Sequence, residues 1–87
     1  MDEKAPLRAV TLALHCADRD GMLADVTAAL AELHIPLREA SAHSGKRGRG
    51  VISVTVAVRS FRELEPIAAR LRQIEGVVTV EHGSQQS

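Results

Sequence analysis

The sequence predicts a single α+β domain with element order β-α-β-β-α-β. Three observations carry this. Residues 9–16 and 51–58 alternate large apolar side chains with small or polar ones, the period of half-buried strands. Residues 22–33 and 60–74 repeat apolar side chains at helical spacing. Gly21, Pro36, the run 45-GKRGRG-50 and Gly76 punctuate between them. Two βαβ halves with right-handed crossovers then close into a four-stranded antiparallel sheet with both helices on one face, the ferredoxin-like arrangement.

Each element has its own signal. Residues 1–7 are polar, contain Pro6 and read as a linker or chain end. In 9-AVTLALHC-16, Val10, Leu12, Leu14 and Cys16 point one way and Ala9, Thr11, Ala13 and His15 the other. After the junction 16-CADRDGMLADV-26, the first helix carries a stripe of Leu23, Val26, Leu30 and Leu33, and Asp18 or Asp20 is expected to cap it. His34-Ile35-Pro36 ends it, because a residue before proline avoids helical angles. A second, more polar strand covers 36–44. A glycine-rich loop at 45–50 leads into the third strand, whose inward residues are Ile52, Val54, Val56 and Val58. Ser60 to Glu63 fits an S-x-x-E capping box. The second helix takes Phe61, Leu64, Ala68, Leu71 and Ile74 as its stripe, with Pro66 predicting a kink or a loose first turn. Gly76 is the expected stop, 77–82 the fourth strand, and 84–87 a disordered tail, leaving 8–83 as the domain.

Composition narrows the function. Eighty-seven residues hold one small domain. Lys+Arg and Asp+Glu number 11 each, so no global charge draws the chain to nucleic acid or anionic membrane. One cysteine excludes an internal disulfide and suits a reducing compartment. No apolar run reaches the length of a membrane span, and 1-MDEKAPLR-8 lacks the order of a signal peptide, so the expected location is cytoplasmic.

The sheet face away from the helices is expected to show Ala9, Thr11, Ala13, His15, Ala40, Ala42, Ser53, Thr55, Ala57 and Thr79. It is flat and without aromatics, since Phe61 is assigned to a helix. That argues against base stacking and for packing on another protein or a second copy. No metal site is predicted: His15, Cys16, His34, His43 and His82 lack ligand spacing, and adjacent His15 and Cys16 point to opposite faces. The same geometry removes them as a nucleophile–base pair. No catalytic residues and no cofactor are expected. An acylphosphatase-type enzyme needs a catalytic Asn, and the chain contains none.

Two stretches carry binding chemistry. The loop 45-GKRGRG-50 is no P-loop, but Lys46, Arg47 and Arg49 suit electrostatic contact with an RNA backbone. At the opening junction, a helix N-terminus offers free amides to a carboxylate, and Gly21 permits close approach. Asp18 or Asp20 suits an ammonium group, and Met22 and Leu23 an apolar side chain. That set fits an amino acid better than a nucleotide.

The run 18-DRDGMLADV-26 resembles the D-R-x-G-[LM]-L-x-x-[IV] signature of the ACT domain. The likeness continues through His34 to Leu37, the small-residue strand 39-EASAHS-44, the helix 64–77 and the ending 77-VVTVEH-82, covering about residues 8–83. Within the family the chain most resembles the C-terminal ACT domain of the RelA/SpoT enzymes that synthesise and hydrolyse (p)ppGpp. The pointers are Asp18 to Thr27 and the L-R-x-I-x-G-V-x-x-V run of Leu71 to Val80. The resemblance implies a regulatory module of the stringent response, cut from a GTP pyrophosphokinase. It implies an amino-acid ligand at Asp18, Arg19, Asp20, Gly21, Met22 and Leu23, with Ile35, Pro36 and Leu37 opposite. Many ligand-binding members have Asn where this chain has Pro36, which has no side-chain donor or acceptor. The implied partners are a second copy or other domains of the parent enzyme, with ribosomal RNA or tRNA reached through that parent. The alternative is a protein or RNA interaction module with no small ligand.

Overall fold

Alternation from Ala9 to Ala17 marks β1 (Arg8–Ala17), one of the two internal strands of the sheet. The computed structural model describes residues 7–82; the tail, residue 83 and all but Leu7 of the expected linker lie outside the described residues. β1 pairs antiparallel with β3 (Arg49–Val58) over its full length and with β4 (Val77–His82) on its other side. β2 (Leu37–Ser44) pairs antiparallel with β3, giving the sheet order β2-β3-β1-β4. The expected ferredoxin-like topology is the observed one.

The core lies on one face. Val10, Leu12, Leu14 and Cys16 of β1 and Ile52, Val54, Val56 and Val58 of β3 are buried against α1 (Met22–Glu32) and α2 (Leu64–Arg72). α1 contributes Met22, Val26, Ala29 and Leu30. Leu23 and Leu33, expected on the stripe, are only half-buried at its edge. The two helices are bridged where Arg70 reaches Glu32 at 2.9 Å.

Several expectations need correction. Phe61 is 60 % exposed and Ala68 half-buried; Ile67, buried, takes the central place on α2. The cause is a 3₁₀ turn over Phe61–Glu63, whose tighter winding puts Phe61 out of phase with the α-helix that follows. Pro66 falls in the first α-helical turn, where no backbone donor is required of it, so the expected loose start is seen as that 3₁₀ turn. The capping box is displaced by one residue: the Ser60 hydroxyl accepts from the Arg62 amide (3.3 Å), but the Glu63 carboxylate accepts from Arg59 (3.0 Å). The α-helix ends at Arg72, before Gly76, which sets the turn into β4 with φ 99°.

The open face also differs. Ala40 and Ala42 pair with Val54 and Ile52, so they share the helix side of the sheet. Glu39, Ser41 and His43 take their place on the open face beside Thr55, Ser53 and Val51. A register shift between Leu37 and Glu39 sets this phase. Across the centre of the open face, the Thr11 and Thr55 hydroxyls meet at 2.9 Å.

Candidate functional site

The β1–α1 junction is held from both sides by backbone. The Ala17 amide donates to the Gly76 carbonyl (2.8 Å), and the Asp18 amide to the Gly48 carbonyl (2.8 Å). One bond ties the junction to the turn between α2 and β4, the other to the β2–β3 hairpin. Gly21 then turns the chain into α1 with φ 83°, a left-handed conformation that costs glycine little.

Neither Asp18 nor Asp20 caps α1, contrary to expectation. Gly21 sits at the cap position, and no side chain bonds to the first-turn amides. An aspartate cap needs extended backbone, which the left-handed Gly21 replaces. The Asp25 amide closes the first turn onto the Gly21 carbonyl (2.9 Å). The Leu23 and Ala24 amides have no acceptor within the helix. Both residues border a cleft of about 380 Å³.

Cys16, Met22 and Ile52, all buried, form the floor of that cleft. Asp18, Asp20, Gly21 and Leu23 make one wall; Ala42, His43, Ser44 and Gly50 make the other. Asp18 and Asp20 are exposed and have no ion-pair partner among the described residues. The cleft thus joins free amides, two free carboxylates and an apolar floor.

Arg19 lines the cleft with its neighbours and also makes contacts outside it. Its guanidinium donates to the Glu75 carbonyl from Nε (3.3 Å) and Nη2 (2.8 Å), and Nη2 lies 2.8 Å from Asp25 Oδ2. Nη1 reaches the Asp20 carbonyl at 3.3 Å. These contacts hold the junction to α1 and to the α2–β4 turn. Met22 is 3 % exposed and packs beneath the same turn. A Cβ on Gly76 would stand 2.7 Å from Met22 Cε, the movable end of a flexible side chain, so it is the φ of 99° rather than the contact that favours glycine there.

The Cys16 thiol is buried and faces the carbonyls of Leu14 and Gly50, each at 3.7 Å. Burial pushes its pKa up, the Asp18 charge pushes the same way, and Arg19 partly opposes them. A thiol held protonated is a packing group rather than a nucleophile. Its neighbour His15 points to the open face, 3.8 Å from Glu81. Among the described residues, no three His, Cys, Asp or Glu side chains converge as a metal site would require.

The remaining candidates fall in two places. Ile35, Pro36 and Leu37 follow the far end of α1, about 16 Å along the helix from the junction. Within one chain they do not line the cleft. Lys46, Arg47 and Arg49 lie beside it, all exposed, on a tight hairpin whose Arg49 amide donates to the Lys46 carbonyl (3.2 Å). Arg47 (φ 60°) and Gly48 (φ 73°) give the two consecutive positive φ values of a type I′ turn. Sequence reasoning treated the hairpin and the junction separately; the bond from Asp18 to Gly48 makes them neighbours. It also missed Ala42 to Ser44, Glu75 and Gly76, since no local pattern reports which distant turn a junction will touch.

Comparison with known proteins agrees with this architecture. The sequence model of the ACT domain matches residues 8–81. No curated protein sequence matches the chain. Among solved structures, the ACT domain of GTP pyrophosphokinase from Chlorobium tepidum is similar in its crystal form. It has a TM-score of 0.73 at 21 % identity, covering 87 % of this chain and 97 % of that one. Its solution structure gives 0.77 at 21 % identity, with 92 % and 90 % covered. The C-terminal domain of the MgtC protein from Mycobacterium tuberculosis has a TM-score of 0.70 at 15 % identity, with 95 % and 92 % covered. These TM-scores establish a shared fold.

Proposed function

The chain belongs to the ACT domain family, a family of regulatory modules, and from that membership we propose that it is the amino-acid-sensing module of a larger enzyme. The parent we favour is a GTP pyrophosphokinase, the enzyme whose ACT domain from Chlorobium tepidum shares this fold; that this parent makes and hydrolyses (p)ppGpp in the cytoplasm is part of the same proposal. The observation that carries the reading is the junction cleft. A bound amino acid places its carboxylate at the Leu23 and Ala24 amides, its ammonium at Asp18 or Asp20, and its side chain over Met22 and Leu23. Arg19, which also borders the cleft, fixes Asp20 and the first turn of α1. Ile35, Pro36 and Leu37 reach such a ligand only from a second copy, so this reading includes a homodimer. The ligand controls the parent by binding one arrangement of the domains better than another.

A second reading is favoured by the position of the basic hairpin. Lys46, Arg47 and Arg49 are exposed and take no part in the ion pairs among the described residues, so the hairpin suits ribosomal RNA or tRNA. Charge reversal separates the two. Asp20→Lys should abolish amino-acid binding measured by calorimetry and leave retention of RNA unchanged. Arg47→Glu with Arg49→Glu should do the reverse. Loss of neither activity in its own variant would remove both readings.

A further inference from the structure

The chain has a single phenylalanine, and the fold does not bury it. Phe61 stands at the mouth of a second cleft, about 510 Å³, between the start of α2 and β4. Leu12, Leu64 and Val80 form its floor. The Phe61 ring meets His82 with centroids 6.4 Å apart and planes tilted by 36°. No residue lines both this cleft and the one at the junction.

Its rim is predominantly cationic. Arg62 stands beside Phe61, and Arg72 closes the other end. Neither is among the ion pairs of the described residues. Glu65, Ala68 and Arg72 recur at i, i+3 and i+7 along one side of α2, so Arg72 lies about 10 Å from Glu65 along the helix axis. The small Ala68 between them leaves the channel open. A flat aromatic platform at one end and a free guanidinium at the other, over an apolar floor, is complementary to a ligand with a planar ring and a separated anionic group.

We propose that this cleft binds a nucleoside phosphate, with the base on Phe61 and His82 and the phosphate at Arg72. Stacking on Phe61 uses a surface that otherwise exposes apolar area to water. Arg72 supplies the bidentate donors that phosphate prefers. Glu65, the one carboxylate of the lining, faces the middle of the ligand, where sugar hydroxyls and base amino groups donate. The site does not depend on amino-acid sensing at the junction.

The test is an amide NMR titration of the 87-residue chain with GDP, ADP and UDP in parallel, and with guanosine and inorganic pyrophosphate as fragments. At least one nucleotide should give saturable shifts at Phe61, Ala68, Arg72 and Val80, and each fragment should bind about tenfold more weakly or worse. Phe61→Ala and Arg72→Glu should each weaken the nucleotide by about tenfold or more, with the dispersion of the spectrum unchanged, since both side chains are exposed. Absence of saturable shifts with all three nucleotides overturns the proposal. So does pyrophosphate binding as tightly as the nucleotide, or unaltered affinity in Phe61→Ala.

Discussion

Arg19 reads in the sequence as a ligand contact, and its geometry makes it a clamp. Two nitrogens on one carbonyl and a 2.8 Å ion pair to Asp25 join the junction and the first turn of α1 to the α2–β4 turn, which is remote in sequence. Its side chain is 36 % exposed, so solvent screening reduces what the pair contributes. Arg19→Met should lower stability by about 1–2 kcal/mol in urea unfolding. Arg19→Lys should restore little of it, because an ammonium cannot reproduce the planar fork. Cys16 makes a prediction about pH. Its folded-state pKa is raised, so the thiol contributes stability that is present below its ordinary value of 9.0 and is lost as pH rises through the folded value. Iodoacetamide at neutral pH should leave the native chain unmodified and label it on unfolding, as mass spectrometry reads directly.

Among the elements, legibility followed periodicity. β1 and β3 were read from sequence because large and small side chains alternate without interruption. β4 is legible at its observed boundaries without such alternation, since Gly76 precedes it and Val77, Val78 and Val80 favour a strand. β2 is legible as a strand, but the face expected to be open, that of Ala40 and Ala42, is the one on the helix side. Its residues are uniformly small or polar, so alternation carries no phase, and the register shift near Leu37 decides which face Ala40 and Ala42 take. On α2 an unbroken helical period points to Phe61 and Ala68 in place of Ile67, because the chain winds as a 3₁₀ turn over Phe61–Glu63. The two assignments differ measurably. Ile67→Ala should cost about 2–4 kcal/mol by thermal or urea unfolding, and Phe61→Ala about 0.5 kcal/mol or less.

For the molecule as a whole, the sheet brings three turns to one end. The β1–α1 junction, the β2–β3 hairpin and the α2–β4 turn are joined there by the bonds of Ala17, Asp18 and Arg19. The junction itself was legible because its motif is local. The cleft was not, because its second wall, Ala42 to Ser44 with Gly50, is supplied by strand pairing and leaves no mark near residue 20. This convergence gives the regulatory reading its mechanical content: a ligand seated at the start of α1 touches backbone that also positions the basic hairpin and the edge strand β4. The most direct measurement is an amide NMR titration of the chain with each common amino acid. Saturable shifts from at least one of them are expected at Gly21, Leu23 and Ala24, with a smaller response at Gly48 through the Asp18 amide. Unmoved resonances at those four residues with every amino acid would contradict amino-acid sensing and leave the junction as a turn.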